Sequence, residues 1–278
     1  MQLTVLVDNN TFIDRYFLGE PGLSFHIATN EKNILFDAGY SDAFIRNASR
    51  IGIDLLKLDS LVLSHSHMDH SWGLAPLFQL FSEAIIEGLG SPKPEFIAHP
   101  DVFCSRTADG LPEIGSFLTE ATINNFCSVQ LSKDPLWITD DIVFLGEIPR
   151  KNDFENLDPM GKVRTSEGID DCFVKEDSAM AYRTGEGLVI ITGCSHAGIC
   201  NIIAHAREVC GEERILDVIG GFHLLDPKPE QVQGTLDYFS KLNAQRIFAC
   251  HCTDLASKIK LSSVANLCEA GVGLRLDY

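Results

Sequence analysis

The sequence has no long apolar run: its apolar stretches end after roughly 4–8 residues, far short of the ~20 that a membrane span requires. The first residues, MQLTVLVDNNTF, have no basic flank and no small-residue cleavage site, the two marks of a secretory signal. Low-complexity tracts and long runs of like charge are absent as well. These absences predict a globular cytoplasmic protein without a membrane partner.

Basic residues are scarce, with 22 Lys and Arg against 39 Asp and Glu, which gives a formal net charge of −17. Nucleic acids are held through their phosphates by Lys and Arg, so this balance argues against a nucleic-acid partner. The remaining composition is ordinary, at 45% hydrophobic and 22% charged residues. A chain of 278 residues with this composition can bury a sizeable core.

The nine cysteines are odd in number and include no C-x-x-C pair. Without an export signal, we expect most of them to be reduced and buried as small hydrophobic residues. Cys250 and Cys252 flank His251, and Cys194 lies two residues before His196. These three thiols remain candidates for a metal site.

Short apolar strands and amphipathic helices predict an α/β protein, with a strand meander early and three strand–helix crossovers after residue 176. Residues 126–149 are predicted to form two or more antiparallel strands, and residues 255–271 a final helix. Residues 148–175 have almost no apolar periodicity and are predicted to be a long, lid-like loop. No Pro/Gly/Ser linker separates the two similar halves, so residues 1–278 are predicted to form a single domain.

Four apolar strands end in histidine just before a helix begins. They are LVLSH at His65, VIITGCSH at His196, DVIGGFH at His223 and IFACH at His251. Ligands of α/β sheets bind in the crevice at the carboxyl ends of the strands. A histidine that only fills the core would fall anywhere along a strand, so this pattern predicts a ligand site.

The segment SHSHMDHSWG, residues 64–73, concentrates ligand-type side chains. In an extended segment the rings of His65 and His67 project to one side. If a helix then begins, Asp69 and His70 at its start face back toward the strand end. Imidazole and carboxylate together suit zinc, iron or manganese, and two pairs of ligands suit two adjacent ions.

SHSHMDH resembles the H-x-H-x-D-H signature of the metallo-β-lactamase fold superfamily, and LFDAG with Asp37 resembles the first motif of that superfamily. More narrowly, the chain resembles the 7,8-dihydropterin-6-yl-methyl-4-(β-D-ribofuranosyl)aminobenzene 5′-phosphate synthase family. The stretches that carry this resemblance are GLSFHI, ILFDAG, LSHSHMDH, FIAHPD, FLGEIPRKNDFE, LVIITGCSHAGI, GGFHL and HCT. The resemblance implies an αββα sandwich, a four-layer fold with a metal site at one edge.

The resemblance also implies the metal ligands. They are His65, His67, Asp69, His70, His196 and His251. The superfamily usually carries a histidine and a bridging Asp where this chain has TGCSH, which offers Cys194 or His196; we expect His196. This departure leaves open whether one or two divalent ions bind. Zinc is the expected metal, with iron, manganese or nickel as alternatives.

Other side chains have expected roles around the ions. Asp37 would orient a ligating imidazole, and Arg150 would clamp a substrate anion. Asp69 would be a base or proton shuttle as well as a ligand, and His223 a further ligand or a donor to phosphate. A turn-forming Asp37, a packed His223 and a surface Arg150 are the structural alternatives.

These residues predict a metal-dependent enzyme acting on a small phosphorylated or pterin-like substrate. The reaction would be hydrolysis, or a synthase reaction that releases pyrophosphate. A di-iron redox protein is an alternative, although such relatives carry Glu where this chain has Ser66. A non-catalytic metal- or ligand-binding module is another. The sequence does not predict the oligomeric state.

Overall fold

The computed structural model of the protein describes residues 1–90, 92–108 and 110–278. The chain divides into two compact units. Unit 1 comprises Met1–Ser132, Lys162–Asp170 and Gly271–Tyr278, and unit 2 comprises Lys133–Gly161 and Asp171–Ala270. That residues 1–278 form a single domain stays a prediction.

Strands and helices occur in the predicted order along most of the chain. The strands are β1 (Gln2–Val7), β2 (Ser24–Ala28), β3 (Asn33–Phe36), β4 (Ser60–Val62), β5 (Glu95–Ala98), β6 (Ser105–Thr107), β7 (Ser128–Leu131), β8 (Leu136–Trp137), β9 (Ile142–Phe144), β10 (Lys162–Arg164), β11 (Ile169–Asp171), β12 (Ala179–Arg183), β13 (Leu188–Thr192), β14 (Ile215–Gly221), β15 (Arg246–Cys250) and β16 (Arg275–Asp277). The helices are α1 (Ala43–Ile51), α2 (Met68–Ser71), α3 (Leu74–Ile86), α4 (Glu120–Phe126), α5 (Ile199–Cys210), α6 (Pro229–Leu242) and α7 (Leu255–Leu261), with 3-10 turns at Leu55–Lys57 and Pro100–Phe103. None of the helices in the described residues has the length and apolar character needed to cross a membrane.

Unit 1 contains a seven-stranded sheet in the order β16-β1-β2-β3-β4-β5-β7. Its first strands pair antiparallel, whereas β3, β4, β5 and β7 run parallel. Phe44, Phe78, Phe81 and Phe96 are part of the buried core of this unit. The parallel register brings the carboxyl ends of β3 and β4 to the same sheet edge, where LFDAG and the histidine motif follow.

Unit 2 contains a six-stranded sheet in the order β15-β14-β13-β12-β9-β8, in which β13, β14 and β15 are parallel. Two glycines end β14, where neighbouring segments of the same chain approach too closely to leave room for side chains. A Cβ at Gly220 would lie 2.1 Å from the Thr192 carbonyl oxygen, and one at Gly221 would lie 2.5 Å from Cys252 Sγ. Glycine at these two positions therefore permits the close approach of the neighbouring segments.

The 126–149 prediction is partly wrong. The strands β8 and β9 pair antiparallel as predicted, but β7 pairs parallel with β5 in the sheet of unit 1. A parallel neighbour requires a crossover connection, and α4 lies in that connection immediately before β7.

The final helix is shorter than predicted and ends at Leu261. The hydroxyl of Ser262 donates to the Ile259 carbonyl and that of Ser263 to the Lys260 carbonyl, which satisfies acceptors of the last turn. Farther along, Leu267 forms a parallel bridge with Ile247 of β15. Residues past the helix therefore lie beside the sheet.

Residues 148–175 are not one structureless loop as predicted. They contain β10 and β11, which form a three-stranded sheet with β6. The alternation there is too short to show as periodicity, since each strand has three residues. β11 pairs with its neighbour β10, and β10 pairs in turn with β6, which is distant in sequence.

Candidate metal centre

The three histidines of the motif converge in unit 1. The ring centroid of His65 lies 4.7 Å from that of His67 and 4.2 Å from that of His70. His70 lies on the four-residue helix α2, which begins directly after His67. The predicted clustering of imidazoles is therefore present.

Asp37 connects this cluster to the end of β3. Its Oδ2 lies 2.7 Å from His70 Nδ1, and its Oδ1 accepts from the Ser64 backbone N–H at 2.7 Å. Asp37 adopts a left-handed backbone conformation, with φ 57°. Because an ionised carboxylate only accepts hydrogen bonds, Nδ1 of His70 carries the proton and Nε2 is the ligand-type nitrogen. Asp37 thus contacts one of the predicted ligand histidines, and its orienting role stays a prediction.

Ser64 extends the same contact to a second histidine. Its hydroxyl donates to Asp37 Oδ2 at 2.7 Å and lies 2.9 Å from His65 Nδ1. Since the hydroxyl proton is given to the carboxylate, Nδ1 of His65 must be the donor in the second bond. Nε2 of His65 is then the ligand-type nitrogen. Sequence reasoning missed Ser64, whose only signal is its position next to His65.

Close backbone contacts fix the motif against the segment after β3. Ala38 N–H donates to the His70 carbonyl at 2.8 Å, and Gly73 N–H donates to the Gly39 carbonyl at 3.1 Å. A Cβ at Gly73 would lie 1.9 Å from the Ala38 carbonyl oxygen, so only glycine permits this approach.

Asp69 Oδ2 lies 3.7 Å from His70 Nε2, and its side chain is 28% exposed. The carboxylate of Asp69, the fourth predicted ligand in this unit, therefore lies near Nε2, the ligand-type nitrogen of His70.

The remaining strand-end histidines lie in unit 2. The ring centroids of His196 and His223 are 4.3 Å apart. Ser195, His223 and His251 adopt left-handed conformations, with φ of 60°, 51° and 51°. Such conformations of non-glycine residues cost on the order of 1–3 kcal/mol each and cluster at functional sites.

Two thiols accompany these histidines. Cys194 is buried, and Cys252 follows His251 directly. Burial alone would raise the pKa of the Cys252 thiol, but hydrogen bonds with Cys194 and His223 and the charge of His251 hold that pKa well below its ordinary value. The choice between Cys194 and His196 as a ligand stays a prediction.

Asp177 is a buried carboxylate that sequence reasoning missed. Its Oδ2 accepts from the Ala197 N–H at 2.8 Å, next to His196. Burial raises the pKa of Asp177 to about 7, against the hydrogen bond from Ala197 and the charges of Arg150 and His223. Its sequence signal was weak, since it lies in the polar stretch VKED just before β12. It places a carboxylate near TGCSH, where the superfamily's bridging Asp is absent.

Arg150 contacts the chain itself. Its guanidinium donates to the side chain of Asn156 at 3.1 Å and to the carbonyls of Ile148 at 3.1 Å, Phe173 at 3.3 Å and Val174 at 2.8 Å. These bonds join the two ends of the 148–175 segment. They favour a positioning role, and its predicted role as an anion clamp stays a prediction.

Glu155 anchors the same segment to helix α5. Its carboxylate accepts from the backbone N–H groups of Cys200 at 2.9 Å and Asn201 at 3.0 Å. A Cβ at Gly198 would lie 2.2 Å from Glu155 Oε2, so glycine makes room for the carboxylate. Sequence reasoning missed this contact because the partners are 45 residues apart.

The other histidines contact the chain around them. His26 is buried in β2, and burial lowers its pKa to about 4. His205 Nε2 lies 3.1 Å from the Leu145 carbonyl, and His99 Nδ1 accepts from the Asp101 N–H at 3.1 Å.

Comparisons with known proteins agree with this geometry. The sequence model of the Metallo-beta-lactamase superfamily matches residues 18–251. The 7,8-dihydropterin-6-methyl-4-(beta-D-ribofuranosyl)-aminobenzene-5′-phosphate synthase of Methanocaldococcus jannaschii is 32% identical over 256 residues, covering 85% of this chain and 82% of that protein. An uncharacterized protein of the same organism is 29% identical over 276 residues, covering 98% of each chain.

A solved structure also matches the whole chain. It is that of Tm1679, described as a metal-dependent hydrolase of the beta-lactamase superfamily, with a TM-score of 0.83 and 25% identity, covering 100% of this chain and 99% of that one. The predicted α/β fold class is therefore confirmed. The superfamily typically binds divalent metal ions, and this chain carries His, Cys and Asp side chains suited to them. The chain belongs to the metallo-β-lactamase superfamily and, within it, to the family of the dihydropterin–ribofuranosylaminobenzene phosphate synthase.

Proposed function

We propose that this protein is a metal-dependent enzyme that acts on a small phosphorylated or pterin-like substrate. The observation that carries the proposal is the hydrogen-bonded array in which Asp37 holds His70 directly and His65 through Ser64. Such outer partners fix the tautomer and raise the basicity of ligating imidazoles. Histidines that only lie at the protein surface would not need such hydrogen-bond partners.

The donor set fits a transition-metal ion. Three imidazoles lie within one short segment, and a partly exposed carboxylate faces one of them. We propose zinc, as one or two ions. The proposed ligands are His65, His67, Asp69, His70, His196 and His251. A bound ion would polarise a phosphoryl or carbonyl oxygen and make a bound water more acidic.

The chain's own side chains have separate roles in this proposal. Asp69 is partly exposed, so its carboxylate accepts and returns a proton as well as binding metal. His223, held in a strained conformation beside His196, donates to a substrate phosphate or adds a ligand. Arg150 keeps the 148–175 segment in place through its carbonyl contacts.

Two reactions fit these roles: hydrolysis of a phosphate ester, and condensation with release of pyrophosphate. The name of the relative that is 32% identical supports a synthase. The name of the structural neighbour that is 25% identical supports a hydrolase. Both reactions require that a phosphate group of the substrate be polarised.

Metal analysis and reconstitution test the proposal. The purified protein is expected to contain divalent metal, and chelation is expected to abolish turnover that one added metal restores. Two assays measure turnover. A panel of phosphate esters is tested for release of phosphate, and a pterin pyrophosphate mixed with ribofuranosylaminobenzene phosphate is tested for release of pyrophosphate. His65→Ala should lose both metal and activity, whereas His205→Gln should retain both. Full activity in a verified metal-free sample would refute the proposal.

A further inference from the structure

Three aromatic side chains form a continuous stack in unit 1. The ring of Trp72 lies between its neighbours, with centroids 5.3 Å from Tyr40 and 3.9 Å from Phe117. The interplanar angles are 28° and 25°, so the three rings lie roughly face to face. We call these three residues the aromatic stack.

The aromatic stack is part of the motif region. Trp72 comes two residues after His70, and its backbone N–H donates to the Met68 carbonyl at 3.1 Å. On the other side, a Cβ at Gly22 would lie 2.9 Å from the Asp69 carbonyl oxygen and 3.3 Å from the backbone nitrogen of Tyr40. Gly22 therefore lies against the backbones of both Tyr40 and Asp69, the residue that we propose as ligand and proton carrier.

Hydrogen bonds hold the stack in place. Trp72 Nε1 donates to the Gly115 carbonyl at 2.8 Å, and Met68 N–H donates to the Ile114 carbonyl at 2.8 Å. The carboxylate of Glu113 accepts from the N–H groups of Gly115 and Ile114 at 2.8 and 3.1 Å, which fixes the turn before Phe117. The rings are thus presented by a fixed backbone.

The outer rings of the stack are open to solvent. Tyr40 is 45% exposed and Phe117 is 55% exposed. Stacked pairs elsewhere in this unit lie against its core, as Phe78 and Phe126 do at a centroid distance of 4.5 Å. A contiguous and rigid aromatic surface beside a candidate catalytic motif is typical of a binding site.

We propose that the outer face of Tyr40, at the end of the aromatic stack nearest Asp69, binds the flat heteroaromatic ring of the substrate, face to face, and thereby selects substrates that carry such a ring. The inference rests on the proposed function, because it concerns the substrate of the same site. Indole and phenol rings have electron-rich faces, so they favour an electron-poor bicyclic ring such as a pterin. Since the indole N–H already binds Gly115, the stack recognises the face of the ring and not its edge.

Fluorescence of the metal-loaded protein tests the inference. The chain has two tryptophans, so Trp137→Phe leaves Trp72 as the single reporter. Trp137 stacks with Arg183, and phenylalanine keeps a ring at that place. Titration with 6-hydroxymethylpterin, cross-checked by equilibrium dialysis, should quench Trp72 saturably. Ribose 5-phosphate, which has no aromatic ring, should not quench it.

Variants of the outer rings give the decisive comparison. In the Trp137→Phe background, Tyr40→Leu should weaken pterin binding about tenfold, since stacking on one aromatic side chain contributes on that order. Phe117→Leu, at the opposite end of the stack, should have a much smaller effect. Ile86→Ala, which changes an 83% exposed apolar residue at the end of α3, should leave binding unchanged. Metal content and thermal unfolding are measured on every sample.

The inference is wrong if the folded, metal-loaded protein does not bind the pterin, or if Tyr40→Leu binds it as tightly as its parent. It is also wrong if Tyr40→Leu dissociates a dimer in sedimentation experiments, since a second copy would then occupy the outer face of Tyr40. A protein that binds the pterin through the stack but shows no metal-dependent turnover would instead refute the proposed function alone.

Discussion

The Asp37 carboxylate and the His70 imidazole lie 2.7 Å apart, although 33 residues separate them along the chain. The contact joins the end of β3 to the histidine motif that follows β4. It fixes the tautomer of His70, and Ser64 passes the same constraint to His65. The chemistry of the motif therefore depends on a carboxylate that lies outside it.

Asp37→Asn should weaken metal binding about 10- to 100-fold, as loss of an outer partner of a ligating histidine does. Asparagine has the same shape and tolerates the left-handed backbone of this position, so the change removes the charge and replaces one acceptor oxygen with a donor amide. Chelator competition measures the affinity. Asp54→Asn, at the start of a 3-10 turn, is the control and should bind metal normally. Equal affinities in the two variants would exclude the orienting role.

Ser64→Ala should weaken metal binding by a smaller factor than Asp37→Asn, because it releases His65 but leaves the contact with His70. Ser60→Ala is a matched control, since Ser60 is buried on β4 and its hydroxyl has no hydrogen-bond partner in the structure. Competition with the same chelator compares the three proteins. An unchanged affinity in Ser64→Ala would show that its hydroxyl does not orient the ring.

Glu155→Ala should lower the free energy of unfolding by about 1–3 kcal/mol, because two backbone N–H groups at the start of α5 lose their acceptor. Glu155→Gln should cost less, since its amide oxygen can still accept one of these bonds. Glu208→Ala, which removes an exposed ion pair with Lys151, should have little effect. Urea denaturation measures all three. A Glu155→Ala protein as stable as Glu208→Ala would disprove the anchoring role.

His26 should make stability fall as the pH drops. Burial lowers its pKa from 6.5 to about 4 in the folded state, so below pH 6.5 the unfolded chain takes up a proton that the folded chain does not. Stability therefore rises with pH between about 4 and 6.5, and this histidine contributes on the order of 3 kcal/mol across that window.

His26→Gln should flatten the dependence of unfolding free energy on pH in this window. Thr4→Val changes the buried residue opposite His26 on β1 and adds no titrating group, so it should keep the slope of the original protein. Denaturation at several pH values gives the slopes. A slope that survives His26→Gln unchanged would assign the effect to other groups.

The sequence by itself determined the order of most strands and helices and the position of histidines at strand ends. Both follow from local chemistry: apolar runs form strands, and the residues after parallel strands come to one sheet edge. His65, His67 and His70 lie within six residues, so their clustering needed no distant partner. The α/β class could be predicted on this basis, and the superfamily from the resemblance of SHSHMDH and LFDAG to its motifs.

Only the tertiary structure decided the contacts that give these side chains their chemistry. Asp37 binds His70, Glu155 binds the start of α5, and Trp72 stacks on Phe117, each across 33 to 46 residues of chain. The same is true of β7, which joins β5 although its nearest strand in sequence is β8. Apolar periodicity reports which face of an element is buried, but it does not report what that face meets. Hydrogen-bond partners that are distant in sequence depend on how the elements pack, and packing is a property of the whole fold.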